Sequence, residues 1–178
     1  DGKAEMTVAV FHIERQNILI KDSSDSVLGG DGGQRSTGYE MEGSVLLTSR
    51  WRVGANSAYT HAEYGVFEDV SGNTPSNVPS WVSNVWTNYR GVAGLPIDVG
   101  GSFRYVDDRF NTRFNTVKML GYKTVDLHAT YRKGNGRFTA RLTNLFDKAY
   151  ALWGDEFYSN QLILGSPQAF ELSAQFDF

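Results

Sequence analysis

Four groups of residues in this chain have side chains that do chemistry. Arg109 and Arg113 flank Phe110, and Phe114 follows them; Trp153, Phe157 and Tyr158 lie further along. Guanidinium groups make charge-assisted hydrogen bonds to anions, and aromatic rings stack on flat ligands, so this set suits an anionic or aromatic chelate. The same residues also suit packing one loop against another. Arg109, Arg113, Trp153 and Tyr158 are the ligand-binding candidates. His12, His61 and His128 stand far apart without ligand spacing, so no metal site is expected. Asp22-Ser23-Ser24-Asp25 and Gly29-Gly30-Asp31-Gly32-Gly33 lack the ordered oxygen spacing of a calcium loop and the strand–helix context of a phosphate loop. They read as a loop. Asp107-Asp108 and Asp155-Glu156 are adjacent carboxylates with no Ser-His or His-Asp arrangement beside them, so no catalytic residue and no enzyme is expected.

The elements that carry these residues read as strands. Apolar and polar residues alternate with period two along most of the chain, and helical periodicity is absent. Ala4, Met6, Val8 and Val10 oppose Glu5 and Thr7 in the first run, Lys3 to about Ile13. Further runs cover about Tyr39–Thr48, Trp51–His61, Trp81–Tyr89, Ile97–Tyr105, Tyr122–Arg132 and Arg137–Phe146. The fourth is the least clean, because Trp86 has the opposite parity to Trp81, Val85 and Tyr89. In the last run, Phe170, Leu172, Ala174, Phe176 and Phe178 face one way and Glu171, Ser173, Gln175 and Asp177 the other. Three Phe on one face of a closing strand suit a lipid interface, where aromatic rings gather.

Connections sort by length. Ser49-Arg50, Gly91 to Pro96, and Lys133 to Gly136 are short; Lys21 to Gly38, Glu63 to Ser80, Val106 to Gly121, and Ala151 to Gln168 are long. Short turns at one rim and long loops at the other are the asymmetry of a bacterial outer-membrane barrel. Eight strands of about ten residues match a tilted membrane span. The polar faces are read as carrying Glu40, Glu42, Arg52, Asp98, Arg104, Lys123, Arg137, Arg141, Glu171 and Asp177, which are costly in a dry core but tolerable along a hydrated lumen or against a plug.

Composition agrees. The net charge of −3 argues against a nucleic-acid surface, and the absence of cysteine excludes disulfides and thiolate metal sites. No apolar run approaches the ~18 residues of a transmembrane helix. The negative mean hydropathy is compatible with a membrane barrel, since half of each strand faces a polar interior. Asp1-Gly2-Lys3 leads straight into strand pattern, so no signal peptide is read here.

Asn144-Leu145-Phe146-Asp147-Lys148-Ala149-Tyr150 resembles the Asn-Leu-Phe-Asp-x-x-Tyr signature of TonB-dependent receptors, 22-stranded outer-membrane transporters with a plugged lumen. In that family the signature lies on the penultimate strand, followed by a long loop, a Gly-x-Pro step and the last strand. Here Gly165-Ser166-Pro167 stands before the last run. Gly38-Tyr39-Glu40-Met41-Glu42, Tyr59-Thr60-His61-Ala62, Asn77-Val78-Pro79 and Gly121-Tyr122 also resemble family patterns. The style is closest to ferric-siderophore receptors.

The resemblance implies an all-β fold, an antiparallel up-and-down transmembrane β-barrel segment of about eight strands. Residues 1–178 would form one C-terminal barrel domain, with the plug domain, the TonB box and the earlier strands absent. It implies uptake of a ferric siderophore or similar chelate in the bacterial outer membrane, with no directly bound cofactor. Implied partners are outer-membrane lipid, TonB acting through the missing N-terminal plug, and the barrel-assembly machinery, which would read Phe170, Leu172, Phe176 and Phe178. Two other readings stay open: a complete eight-stranded outer-membrane barrel with a structural or adhesive role, and a soluble lipocalin-like binder with its apolar faces turned inward.

Overall fold

The alternating runs become one continuous sheet. The structure, a computed structural model, describes residues 3–18, 20–21, 27–28, 33–66, 69–158 and 160–177. Its strands, in chain order, are β1 (Ala4–Gln16), β2 (Ile20–Lys21), β3 (Val27–Leu28), β4 (Gly33–Thr48), β5 (Trp51–Tyr64), β6 (Trp81–Tyr89), β7 (Ile97–Val106), β8 (Arg109–Phe110), β9 (Lys118–Met119), β10 (Tyr122–Lys133), β11 (Gly136–Thr143), β12 (Ala151–Gly154), β13 (Leu162–Leu164) and β14 (Ala169–Phe176). Eight of them form an antiparallel meander in the order β1-β4-β5-β6-β7-β10-β11-β14. The pairs β2–β3, β8–β9 and β12–β13 are small hairpins within long loops. Among the described residues the meander is open: β1 and β14 each pair on one side only.

Register sorts every wall residue to a face. On one face, Val10, Tyr39, Tyr59 and Trp81 share one row. Tyr131, Phe138 and Ala174 share another row nearer the short turns. The apolar side chains between these rows are exposed: Met6 is 71%, Val8 58% and Leu172 72% accessible. The band is edged by rings. Tyr59 and Trp81 lie 4.9 Å apart at the upper edge, with Tyr39 5.5 Å from Tyr59. Phe138 meets Phe176 edge-on at 5.7 Å at the lower edge. Trp51 to Tyr59 spans eight residues, about 20 Å of height at the usual strand rise and tilt, which fits the apolar band of a membrane barrel. The Trp51 indole N–H donates to Thr87 (2.7 Å), so the ring at the rim keeps its polar atom satisfied.

The opposite face is polar. Ser44 donates to Glu5 (2.7 Å), and Arg52 reaches both (3.4 Å to Glu5, 3.3 Å to Ser44). Asn84 donates to Asn56 (2.7 Å), and Arg132 pairs with Asp98 (2.5 Å). Arg137, Arg141 and Glu171 are exposed rather than packed in a core, as a wide lumen requires. The buried apolar residues lie elsewhere: Ala62, Tyr64, Val70, Val106, Met119 and Tyr122 gather at the long-loop end.

Trp86 turns to the lumen face for a reason the alternation hides. Its indole covers Gly54 on the neighbouring strand, where an added Cβ would come within 2.3 Å of the ring. We predict that Gly54→Ala lowers stability by about 1–3 kcal/mol through this overpacking. The midpoint of urea unfolding checks it; in a Trp86→Ala background the same substitution should be nearly neutral.

Four boundaries differ from the sequence expectation. β1, β4 and β5 run on to Gln16, back to Gly33 and on to Tyr64, beyond the apolar band. There the outward residues are polar: His12 bridges Thr37 (2.9 Å) and Glu14 (3.1 Å), Arg35 pairs with Glu63, and His61 lies 3.6 Å from Glu63. Apolar alternation reports only what touches lipid, so the wall above it reads as loop. The seventh run stops at Thr143, and Leu145 and Phe146 leave the strand because Asn144 takes a left-handed φ of 48°. The closing strand is described to Asp177; Phe178 lies outside the described residues, as do Asp22 to Asp25 and Gly29 to Gly32.

Candidate functional site

The long-loop end is built on the segment that begins at Asn144. Its main-chain N–H donates to the Asp126 carboxylate of β10 (2.8 Å), and the Leu145 N–H donates to the Val125 carbonyl (2.8 Å). The Asn144 side chain then does the work of a strip of backbone. Its amide donates to the carbonyls of Lys148 and Ser166 (both 3.0 Å), and its oxygen accepts from the Lys148 N–H (2.9 Å). Asp147, also left-handed at φ 47°, accepts from the Gln168 N–H (2.9 Å). Gln168 in turn donates through its side chain to the Leu145 carbonyl (2.7 Å). Asn and Asp are the side chains that best tolerate this backbone region while bonding locally.

Tyr150 completes the knot. Its ring stacks on Tyr122 at 4.2 Å and lies over Gly165, whose added Cβ would fall 2.0 Å from the ring. The Gly165 N–H donates to the Tyr150 carbonyl (2.9 Å). Entry and exit of the last long loop, residues 144 and 168, are thus fastened together. Asn144, Asp147, Tyr150 and the Gly-x-Pro step are one structural device. Phe146 stands outside it, 74% accessible.

Above the knot, three loops interlock through asparagines. Asn77 exchanges two hydrogen bonds with the Gly154 backbone (2.8 and 2.9 Å) and donates its own N–H to the Phe110 carbonyl (2.7 Å). Asn115 exchanges two with Thr74 (2.9 and 2.8 Å), and Asn73 donates to the Arg113 carbonyl (3.0 Å). Asn111 is fully buried. Glu156 accepts from Ser76 (3.1 Å) and pairs with Arg113 (3.4 Å). Sequence reasoning passed over Asn73 and Asn115 and read Glu156 only as one of two adjacent carboxylates. The available signal was the density of Asn in loops, since Asn mimics a peptide group and accepts positive φ.

The ligand candidates divide. Arg109 is 5% and Arg113 6% accessible, both inside the loop layer. Arg109 donates to the carbonyls of Ala151 (2.7 Å) and Leu152 (2.9 Å) and lies over the Tyr122 ring; burial lowers its pKa. Trp153 and Tyr158 stand on the layer's surface, 41% and 62% accessible, beside Phe157, Leu152 and Ile163. The structure therefore brings the arginines into the scaffold and leaves the aromatics facing out. At the base of the third loop, the Lys118 ammonium (2.6 Å) and then the Gly121 N–H (2.6 Å) hold the Asp108 carboxyl below its usual range. A separate cleft of about 470 Å³ opens beside the tops of β1, β4 and β5, lined by Glu14, Arg15, Arg35, Glu63, Tyr64 and Ser71. Among the described residues no group of His, Asp or Glu is arranged to hold a metal ion.

Residues 1–145 match the family described as TonB dependent receptor-like, beta-barrel. The ferrichrome outer membrane transporter/phage receptor of Escherichia coli K12 is 30% identical over 84% of this chain and 21% of its own length. The metal-pseudopaline receptor CntO of Pseudomonas aeruginosa is 29% identical over the whole chain and 26% of its own length. The crystal structure of the siderophore receptor PiuA from Acinetobacter baumannii superposes with a TM-score of 0.84 at 22% identity, over 98% of this chain and 26% of that one. The chain thus spans about a quarter of the length of such relatives.

Proposed function

The chain belongs to the TonB-dependent receptor family, and from that premise we propose that it forms the last strands of the barrel wall of an outer-membrane receptor importing a ferric siderophore. The observation that carries the reading is the similarity, over the whole chain, to a metal-pseudopaline receptor, together with that to a ferrichrome transporter over 84% of it. The open meander supports it. Bare strand edges within a bilayer cost several kcal/mol for each unpaired group, so β1 and β14 call for further strands to close the wall. A self-contained eight-stranded barrel is not favoured, because β1 and β14 do not pair and the lumen face carries exposed charge.

In this reading each part has a task. The exposed aromatics of the last long loop, Trp153 and Tyr158, meet the chelate, and the buried Arg109 and Arg113 hold that loop in place. The ferric siderophore is cargo, not a resident cofactor, and no catalytic step is assigned to the chain. TonB acts through an N-terminal plug. Lipid covers the apolar band, and the assembly machinery reads Phe170, Leu172, Phe176 and Phe178.

The test is uptake. The full-length receptor, expressed in a Gram-negative strain stripped of its own siderophore receptors, should accumulate radioactive iron from ferrichrome, ferrioxamine B, pseudopaline or a ferric catecholate. Accumulation should vanish when tonB is deleted. Failure with all four chelates, or uptake indifferent to tonB, would overturn the proposal.

A further inference from the structure

The lipid-facing side has a dent. Val99, Ala129, Ala140 and Leu172 lie side by side in one row, and Ile97, Tyr131, Phe138 and Ala174 form the next row toward the short turns. Two alanines make the floor and two rings the lower lip. The result is an apolar groove of about 460 Å³. Its lip is braced: Tyr131 and Phe138 stack at 6.5 Å, and Phe138 leans on Phe176.

Four residues below the floor, about 10 Å nearer the periplasm at the usual rise and tilt, stands Lys133 on the same face. It belongs to the turn Arg132-Lys133-Gly134-Asn135-Gly136-Arg137, half of whose residues are basic. Arg132 is neutralised by Asp98. Lys133 and Arg137 form no ion pair among the described residues, and both are exposed. The carboxylate beyond β14, Asp177, has lumen-face parity and accepts from Gln175 (3.4 Å).

We propose that groove and turn together bind one anionic phospholipid of the periplasmic leaflet, with an acyl chain over Ala129 and Ala140 and the phosphate group at Lys133. The inference rests on the membrane-barrel reading. The solvent of this face is lipid, so the occupant's class follows from position. Its charge follows from the unneutralised ammonium at headgroup depth. One basic residue near an anionic lipid surface favours it by about fivefold.

Native mass spectrometry of the purified full-length receptor tests this, after heat-modifiable mobility confirms a folded barrel. The protein is offered equal amounts of phosphatidylglycerol and phosphatidylethanolamine with identical chains. Phosphatidylglycerol should be retained about fivefold better. Lys133→Glu should erase the preference, whereas Arg50→Glu on another short turn should keep it. Ala140→Phe, which fills the floor, should weaken both lipids and leave their ratio unchanged. Equal retention by the unmutated protein, a preference that survives Lys133→Glu, or an Ala140→Phe variant that binds as before would each overturn the proposal. Loss of the folded band in the unmutated protein would instead sink the barrel reading itself.

Discussion

Asn144→Ala is expected to destabilise the folded receptor by about 4 kcal/mol, with most of the loss in the last long loop and the two strands it joins. The side chain makes three hydrogen bonds to backbone groups at a site only 4% accessible. Removing it leaves two carbonyls and one N–H without partners, at about 1–3 kcal/mol for each group that water cannot reach. Alanine also tolerates φ 48° poorly, adding about 1 kcal/mol. Two further variants separate these causes. Asn144→Gly restores the backbone freedom but not the bonds, so it should recover only about 1 kcal/mol. Asn144→Asp keeps the acceptor for Lys148 but turns a second oxygen toward two carbonyls, so it should resemble Asn144→Ala. Urea midpoints of the full-length receptor, read by heat-modifiable mobility, measure all three. An Asn144→Ala variant within about 1 kcal/mol of wild type would show that the knot is not structural.

This result bears on what the short motif means. The residues Asn144, Asp147 and Tyr150 fasten the two ends of a loop to Asp126, Gln168 and Gly165. A wide barrel with long loops must hold its loop bases against the membrane rim, and a left-handed Asn with a backbone-like amide does that in one residue. The surface of the loop can then vary while the base stays fixed. Trp153, Phe157 and Tyr158 stand on that outer surface.

The wall was legible because lipid and lumen impose opposite polarity on successive residues. Trp51, Val53 and Ala55 against Arg52 and Asn56 need no more than that rule. The legible part ended where both faces meet water. Glu14, Arg35 and Glu63 continue their strands without apolar alternation, held by pairing with one another and with His12 and His61. The hairpins β8–β9 and β12–β13 are two to four residues long, too short for any periodicity to accumulate. Trp86 looked like an exception to its strand and proved to be a lumen residue seated on Gly54, a cross-strand fit that sequence order does not display. The arginines were placed correctly in the third loop but their burial was not legible. Charge and aromatic neighbours look the same whether a guanidinium awaits an anion or holds the carbonyls of Ala151 and Leu152.

Leu142→Arg should cost about 2–4 kcal/mol of folded-barrel stability, while Arg141→Leu one residue away should cost far less. Leu142 sits on the apolar face between Leu127 and Phe170, four residues above the Phe138 ring. That places it about 10 Å inside the lower girdle, close to the bilayer midplane, where a guanidinium has no polar partner. Arg141 faces the lumen across from Glu171 and is exposed, so a leucine there loses little. This pair alone does not distinguish lipid from a protein core, since a soluble sheet would also resist Leu142→Arg. Depth does. In a membrane the penalty falls toward the interface, so Phe176→Arg at the rim should cost only about 0–1 kcal/mol for its charge beyond the loss of the ring, which Phe176→Ala measures. A protein core has no such gradient along a strand. Unfolding free energies of the full-length receptor in lipid vesicles, measured for Leu142→Arg, Phe176→Arg and Phe176→Ala, therefore decide the matter. A charge penalty as large at position 176 as at 142 would mean that this face does not meet a bilayer. A steep decline would place Leu142 near the midplane and Phe176 at the headgroups, the depths that the ring contacts and strand register already assign to them.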